Sequence, residues 1–200
     1  MKKSINELDV GIEAMENLRM GTNTNLVDVL TNPLYSTIAL ATGTKEFSPF
    51  SLSRADQGNN LATTNVQQGN RVPSKQAWDI KAIKMSIVSP VALDDAGIQA
   101  LNNFLFESVL TLDIDDSPKF EKTLSSILGN AVMVQPVSAV GSNAHNSTFV
   151  GSFKLDEKIY MGAETQFQFT VKNYQTAGVV AGLDGVKIRL ELDRKLIRLV

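Results

Sequence analysis

The order of hydrophobic and polar positions predicts a run of β-strands behind an amphipathic helix. In the segment from Trp78 to Val88, Trp78, Ile80 and Ala82 share one parity, and Ile83, Met85 and Ile87 take the other. Side chains along a strand point alternately to opposite faces, so each trio marks one face of a half-buried strand. A change of parity between Ala82 and Ile83 is the trace that an inserted residue, a β-bulge, leaves in a sequence. Over 165–171, Phe167, Phe169 and Val171 alternate with Gln166, Gln168 and Thr170, the clearest strand in the chain. Further strands are expected at 36–42, 46–53, 109–115, 148–155, 186–192 and 196–200. Pro49 makes the second of these an edge or a bent strand, and Pro136 splits 131–140 into two short edge pieces. Residues 120–128 read as a short helix or as irregular chain.

Two helices interrupt this pattern. Over 4–20, Ile5, Leu8, Ile12, Met15 and Leu18 recur at spacings of three and four and line one face. Ser4 and Glu7 form a capping box, and Gly21 is a natural stop. The stripe needs a partner: the domain itself, a neighbouring subunit or a membrane surface. The acidic polar face disfavours the last. The second helix starts at Asp94 or Asp95 as N-cap, with Ile98, Leu101, Phe104 and Leu105 on its apolar face; Phe106 widens that face and predicts a well-buried helix. Some eight to ten strands at fairly even spacing indicate a mainly β sandwich or barrel. Strands and helices do not alternate regularly, which argues against a doubly wound α/β fold.

Composition narrows the function. A chain of 200 residues can bury roughly 70% of its surface and needs no metal or disulfide to fold. The absence of cysteine removes disulfides, thiolate metal sites and thiol nucleophiles together. A net charge of −2 argues against a general nucleic-acid binder. Arg189, Arg194, Lys195 and Arg198 are a candidate local basic patch, or more simply a solvated strand face. No secretory signal and no run of about 20 apolar residues is seen, so a soluble protein made in a cytoplasm is expected.

Candidate chemistry is sparse. His145, the single histidine, lies in a polar Asn/Ser loop, which suits a solvated side chain better than a catalytic base. Asp113 and Asp115 share a strand face and are a weak candidate for a hard cation, but the EF-hand pattern of glycine and glutamate is missing. A solvated face leading into a turn before Pro118 explains them better. Trp78 is a stacking platform for a ligand or, given its alternating strand, part of the core. Phosphate-loop and dinucleotide motifs are absent. No enzyme, no cofactor and no small-molecule substrate is expected.

The residues from Thr63 onward, TTNVQQGNRVPSKQAWDIKAIKMSIV, resemble a recurring segment of jelly-roll capsid proteins from tailless icosahedral bacterial viruses. The matching positions are Thr64, Asn65, Val66, Gly69, Val72, Pro73, Trp78, Ile80 and Ile83. SVLTLDIDDSPKFEKTL and the closing GVKIRLELDRKLIRLV are similar to later parts of such chains. Major capsid proteins of this kind often carry two jelly rolls in tandem, about sixteen strands; here there is roughly half that. The resemblance implies a single jelly-roll β-sandwich over 33–200, an N-terminal helical arm and connector over 1–32, and one helix inserted after Pro90.

It also implies a structural virion protein that self-assembles into a shell. Its partners would be copies of itself and other capsid proteins, with an internal membrane or the genome in contact. Assembly contacts are expected at Ile5, Leu8, Ile12 and Met15 of the arm, at Asn65, Gln67 and Arg71 of the loop 57–74, and in the loop 140–147. The alternative is a β-sandwich binding module for a carbohydrate or a receptor. A metal-dependent hydrolase on a jelly-roll scaffold would need several histidines, and the chain has one.

Overall fold

The computed structural model describes residues 27–56, 62–88, 93–129 and 148–199. The helix expected over 4–20, with Ile5, Leu8, Ile12 and Met15, lies outside the described residues, as do 131–140 and the loop 140–147. The described chain contains nine strands and two α-helices: β1 (Val27–Thr31), β2 (Leu34–Ala39), β3 (Glu46–Phe47), β4 (Gln76–Val88), α1 (Asp95–Glu107), β5 (Ser108–Ile114), β6 (Ser117–Thr123), α2 (Leu124–Leu128), β7 (Thr148–Met161), β8 (Phe167–Asn173) and β9 (Lys187–Leu199).

The strands form two antiparallel sheets. In the first, β9 pairs with β4 on one side and with β1 and β2, end to end, on the other; β4 pairs in turn with β7. The second has the order β3-β8-β5-β6. The pairing is nested: β2 meets β9, β3 meets β8, β4 meets β7, and β5 meets β6. The chain therefore behaves as a long two-stranded ribbon rolled over on itself, and the contacts β4·β9 and β5·β8 are those that rolling adds.

Alternation places the core between the sheets. Leu110, Leu112 and Ile114 of β5 and Phe167, Phe169 and Val171 of β8 point inward from the second sheet. Ile83, Met85 and Ile87 of β4, opposite Leu192, Leu190 and Ile188 of β9, point inward from the first. Trp78 is buried and packs against Phe167 at 5.4 Å between ring centroids. At one end of this core the buried pair Ser108 and Asn173 satisfies itself, the Asn173 amide donating to the Ser108 hydroxyl at 2.8 Å.

The bulge lies slightly earlier than the change of parity suggests. Ile80 faces Arg194 and Ala82 faces Asp193, so Lys81 is the extra residue against β9. Against β7 the same point opposes Ile159 and Lys154, so four residues of β7, 155–158, have no register partner on β4 there. Asp94 caps α1, its Oδ1 accepting the Gly97 N–H at 2.7 Å. Leu101, Phe104 and Leu105 are buried, and Phe104 meets Phe47 edge-on.

Several expectations need correction. Phe106 is 69% exposed and does not widen the buried face of α1. Each residue turns a helix by about 100°, so Phe106 lies round the cylinder from Leu101 and Leu105. The strand expected over 46–53 is only Glu46–Phe47, because Pro49 lacks an N–H for a ladder. The last two strands are one, since β9 runs unbroken through Asp193, Arg194 and Lys195. Residues 120–128 divide between the end of β6 and the short helix α2.

Candidate functional site

Residues 62–73 fold over one end of the sandwich and are tied to both sheets. The Asn65 side chain accepts the Tyr35 N–H and donates to the Pro33 carbonyl, both at 2.8 Å. The Thr64 hydroxyl donates to the Tyr35 carbonyl at 3.0 Å, so this part of the loop covers the outer edge of β2. Further on, Val72 exchanges backbone hydrogen bonds with Thr165 and Glu164, and the Phe167 N–H donates to the Asn70 carbonyl, extending β8. The Arg71 guanidinium bonds the Glu164 carbonyl and lies 3.4 Å from its carboxylate. Val66 and Val72 enter the core. Asn65 and Arg71 thus have partners within the chain, and Gln67, at the exposed rim, accepts a hydrogen bond from Gln76 at 2.9 Å.

Under this cap lies a cavity of about 320 Å³. Its base is built by β4 and β9, where Trp78 opposes Leu196 and Ile80 opposes Arg194. Because β9 alternates without a break, Arg194 shares the inward parity of Leu190, Leu192 and Leu196. It is 5% exposed, so it is not part of a solvated basic face. Its guanidinium carbon sits 4.1 Å from the centroid of the Trp78 ring, and its Nε donates to the Asn32 carbonyl at 3.1 Å. Its NH1 is buried without a hydrogen-bond partner. The other three cations of the supposed patch lie elsewhere: Arg189 stacks on Tyr35 on the outer side, Lys195 lies half-buried opposite Asp79, and Arg198 is exposed at the end of the strand.

Burial pushes the Arg194 pKa well below the usual arginine value, to about 10. The group is therefore still charged at pH 7. The folded value is depressed for a cation, so the burial penalty is fully present below about pH 10 and relaxes only as pH rises above that towards the usual arginine value. A buried charge without a counter-charge is usually replaceable by an apolar side chain of similar volume at no loss. Arg194→Met is accordingly expected to unfold thermally at or above the wild-type temperature at pH 7, and Arg194→Ala below it through the void it leaves. A loss of more than about 2 kcal/mol in Arg194→Met would show that stacking on Trp78 outweighs burial.

The carboxylates at the other candidate position, Asp113, Asp115 and Asp116, line a second cavity of about 300 Å³ beside Asn70 and Gln166. Asp115 and Asp116 form the β5–β6 turn with φ of 47° and 62°, a left-handed conformation that aspartate tolerates. Asp115 Oδ1 accepts the Gln166 N–H at 3.2 Å, and Asp113 lies back on β5 at a register shift. Among the described residues, no group of three or more His, Cys, Asp or Glu is arranged to hold a metal ion. On the outer face of the first sheet, Lys158 lies 3.8 Å from the buried Asp79, and Lys84 bridges Glu191 and Asp193 at 3.5 Å each.

The end cavity could have been suspected from one signal: an arginine at an inward position of β9, opposite the strand that carries the only tryptophan. These features define a two-sheet antiparallel β-sandwich protein with a capped, cationic end cavity. No protein-family model matches the chain, and a search of curated proteins finds no match. Among the described residues no helix is long and apolar enough to cross a membrane.

Proposed function

We propose that the chain is a shell subunit of a bacterial virus, folded as a single jelly roll with a helix inserted between β4 and β5, and that its activity is assembly. The observation that carries this reading is the nested pairing of first strand with last. A ribbon rolled in this way yields two packed antiparallel layers, here of five and four strands, an arrangement like that which capsid, lectin and cupin domains share. Among these, a cupin centre requires clustered histidines, and a lectin groove requires exposed aromatics grouped around a ligand. Trp78 is buried, and among the described residues the exposed large apolar side chains lie on β1, on the loops and at the end of α1: Val29, Leu30, Leu52, Phe106, Tyr174 and Val180. Tyr174 is joined to the end of α1 by its N–H, which donates to the Glu107 carbonyl at 3.0 Å, so Phe106 and Tyr174 share one corner of the domain. Aromatics in such a position suit contacts between subunits, where they supply much of the binding energy.

A second reading, a β-sandwich binding module, is favoured by the end cavity above Trp78. Negative-stain electron microscopy and light scattering of the concentrated protein decide between them. Rings or shells are expected for a shell subunit, whereas a persistent monomer would overturn that reading in favour of the binding module. Deletion of residues 1–21 should leave a folded domain that assembles more weakly. Assembly equal to wild type would remove the proposed arm, with Ile5, Leu8, Ile12 and Met15, from the contact.

A further inference from the structure

We propose that the cavity under residues 62–73 is a binding site for a carboxylate carried on a short apolar stem, with Arg194 as its buried anchor and Arg54 at its rim. The inference stands on the geometry of the cavity and does not depend on the assembly reading. Arg194 is 5% exposed, lines the cavity and keeps one guanidinium nitrogen, NH1, without a partner. Arg54 lines the same cavity from an exposed position. Among the described residues, no carboxylate forms an ion pair with either side chain.

The remaining walls select the kind of anion. Leu34, Pro73, Trp78 and Leu196 present apolar surface beside the guanidinium, and of the polar lining residues Asn65, Gln67 and Gln76 are already hydrogen-bonded within the chain. A heavily hydrated phosphate would lose water there without recovering enough donors, whereas a carboxylate with a few methylenes matches a single cation flanked by hydrocarbon. The guanidinium carbon lies 4.1 Å from the Trp78 ring centroid, and NH1 is left to donate a hydrogen bond to such a carboxylate. The same chemistry is offered by a free small acid and by an Asp or Glu side chain on another copy of the chain.

Trp78 is the only tryptophan in the sequence, so its fluorescence reports on this cavity. The test titrates the full chain with butyrate at constant ionic strength, with butanol and sodium chloride as comparators. A saturable change in Trp78 emission is expected with butyrate alone. It should weaken at least tenfold in Arg194→Gln and severalfold in Arg54→Gln. A change in emission on concentrating the protein without added acid, lost in Arg194→Gln, would assign the carboxylate to a second copy. An equal response to butanol or chloride, an unchanged titration in Arg194→Gln, or no response to either butyrate or concentration overturns the proposal. If Arg194→Gln does not fold, Arg54→Gln decides, because its exposed side chain supports no packing; a wild-type titration there overturns the site as drawn.

Discussion

Phe169→Ala is expected to lower the stability of the domain by roughly 4 kcal/mol, about 8–16 °C in melting temperature for a chain of this size. Phe169 is fully buried at the centre of β8 and reaches across to the loop after β3. Its ring lies 5.0 Å from that of Phe50 and 6.0 Å from that of Phe167, which in turn contacts Trp78. Truncation removes apolar contact from both layers, and neither sheet can close the void without breaking its ladder. Phe50 also has a φ of 66°, a strained conformation for a bulky residue that the surrounding packing must hold in place. Phe169→Leu should lose roughly half as much. Circular dichroism melts of the two variants check this, and a Phe169→Ala protein melting within a few degrees of wild type would mean that the sheets do not meet at this ring.

Gly151→Ala is expected to be nearly as damaging, although it adds a single methyl group. Gly151 lies in β7 opposite Met85, directly beneath the end of α2. A Cβ there would overlap the Leu128 backbone, whose carbonyl carbon would lie at 2.7 Å. Backbone cannot rotate away as a flexible side chain does, so α2 or β7 must move. Overpacking of this kind costs about 3 kcal/mol, which corresponds to roughly 6–12 °C. Gly182→Ala is the control, because a Cβ at that position meets nothing within 4 Å. It should stay within about 0.5 kcal/mol of wild type. Equal melting temperatures for the two variants would show that α2 does not dock on β7.

How much of this was legible depended on whether one face of an element is buried. Leu110, Leu112 and Ile114, and likewise Phe167, Phe169 and Val171, alternate because one side of each strand meets the opposite sheet and the other meets solvent. Trp78 follows the same rule. The pattern misled where an inward position is filled by something other than a plain hydrophobe. Asp193, Arg194 and Lys195 read as a polar interruption, yet Arg194 occupies an inward position, its stem and guanidinium lying on Trp78. Phe106 misled in the opposite sense, since an apolar residue one step along a helix from a buried one need not be buried itself. The cap over 62–73 had no period to read. It is held by Asn65, Arg71 and backbone bonds to distant segments, pairings made only once the chain has folded. For the same reason the cavity beneath it was not visible: Arg54 and Arg194 are 140 residues apart in sequence, and nothing local links them.

The nested pairing also sets the order in which this domain can be made. β9 lies in the interior of the first sheet, touching β1, β2 and β4, yet it leaves the ribosome after every other strand of the domain. Until it arrives, β4 has one uncovered edge, and β1 and β2 lack their ladder partner. Synthesis proceeds at roughly 5–20 residues per second, so unpaired strands wait for seconds, exposed to one another and to neighbouring nascent chains. Pairing of such sequence-distant strands is intrinsically slow as well. The yield of native protein is therefore governed by how well the half-made chain is shielded, and slower translation or colder growth acts on that waiting period before it acts on the finished fold.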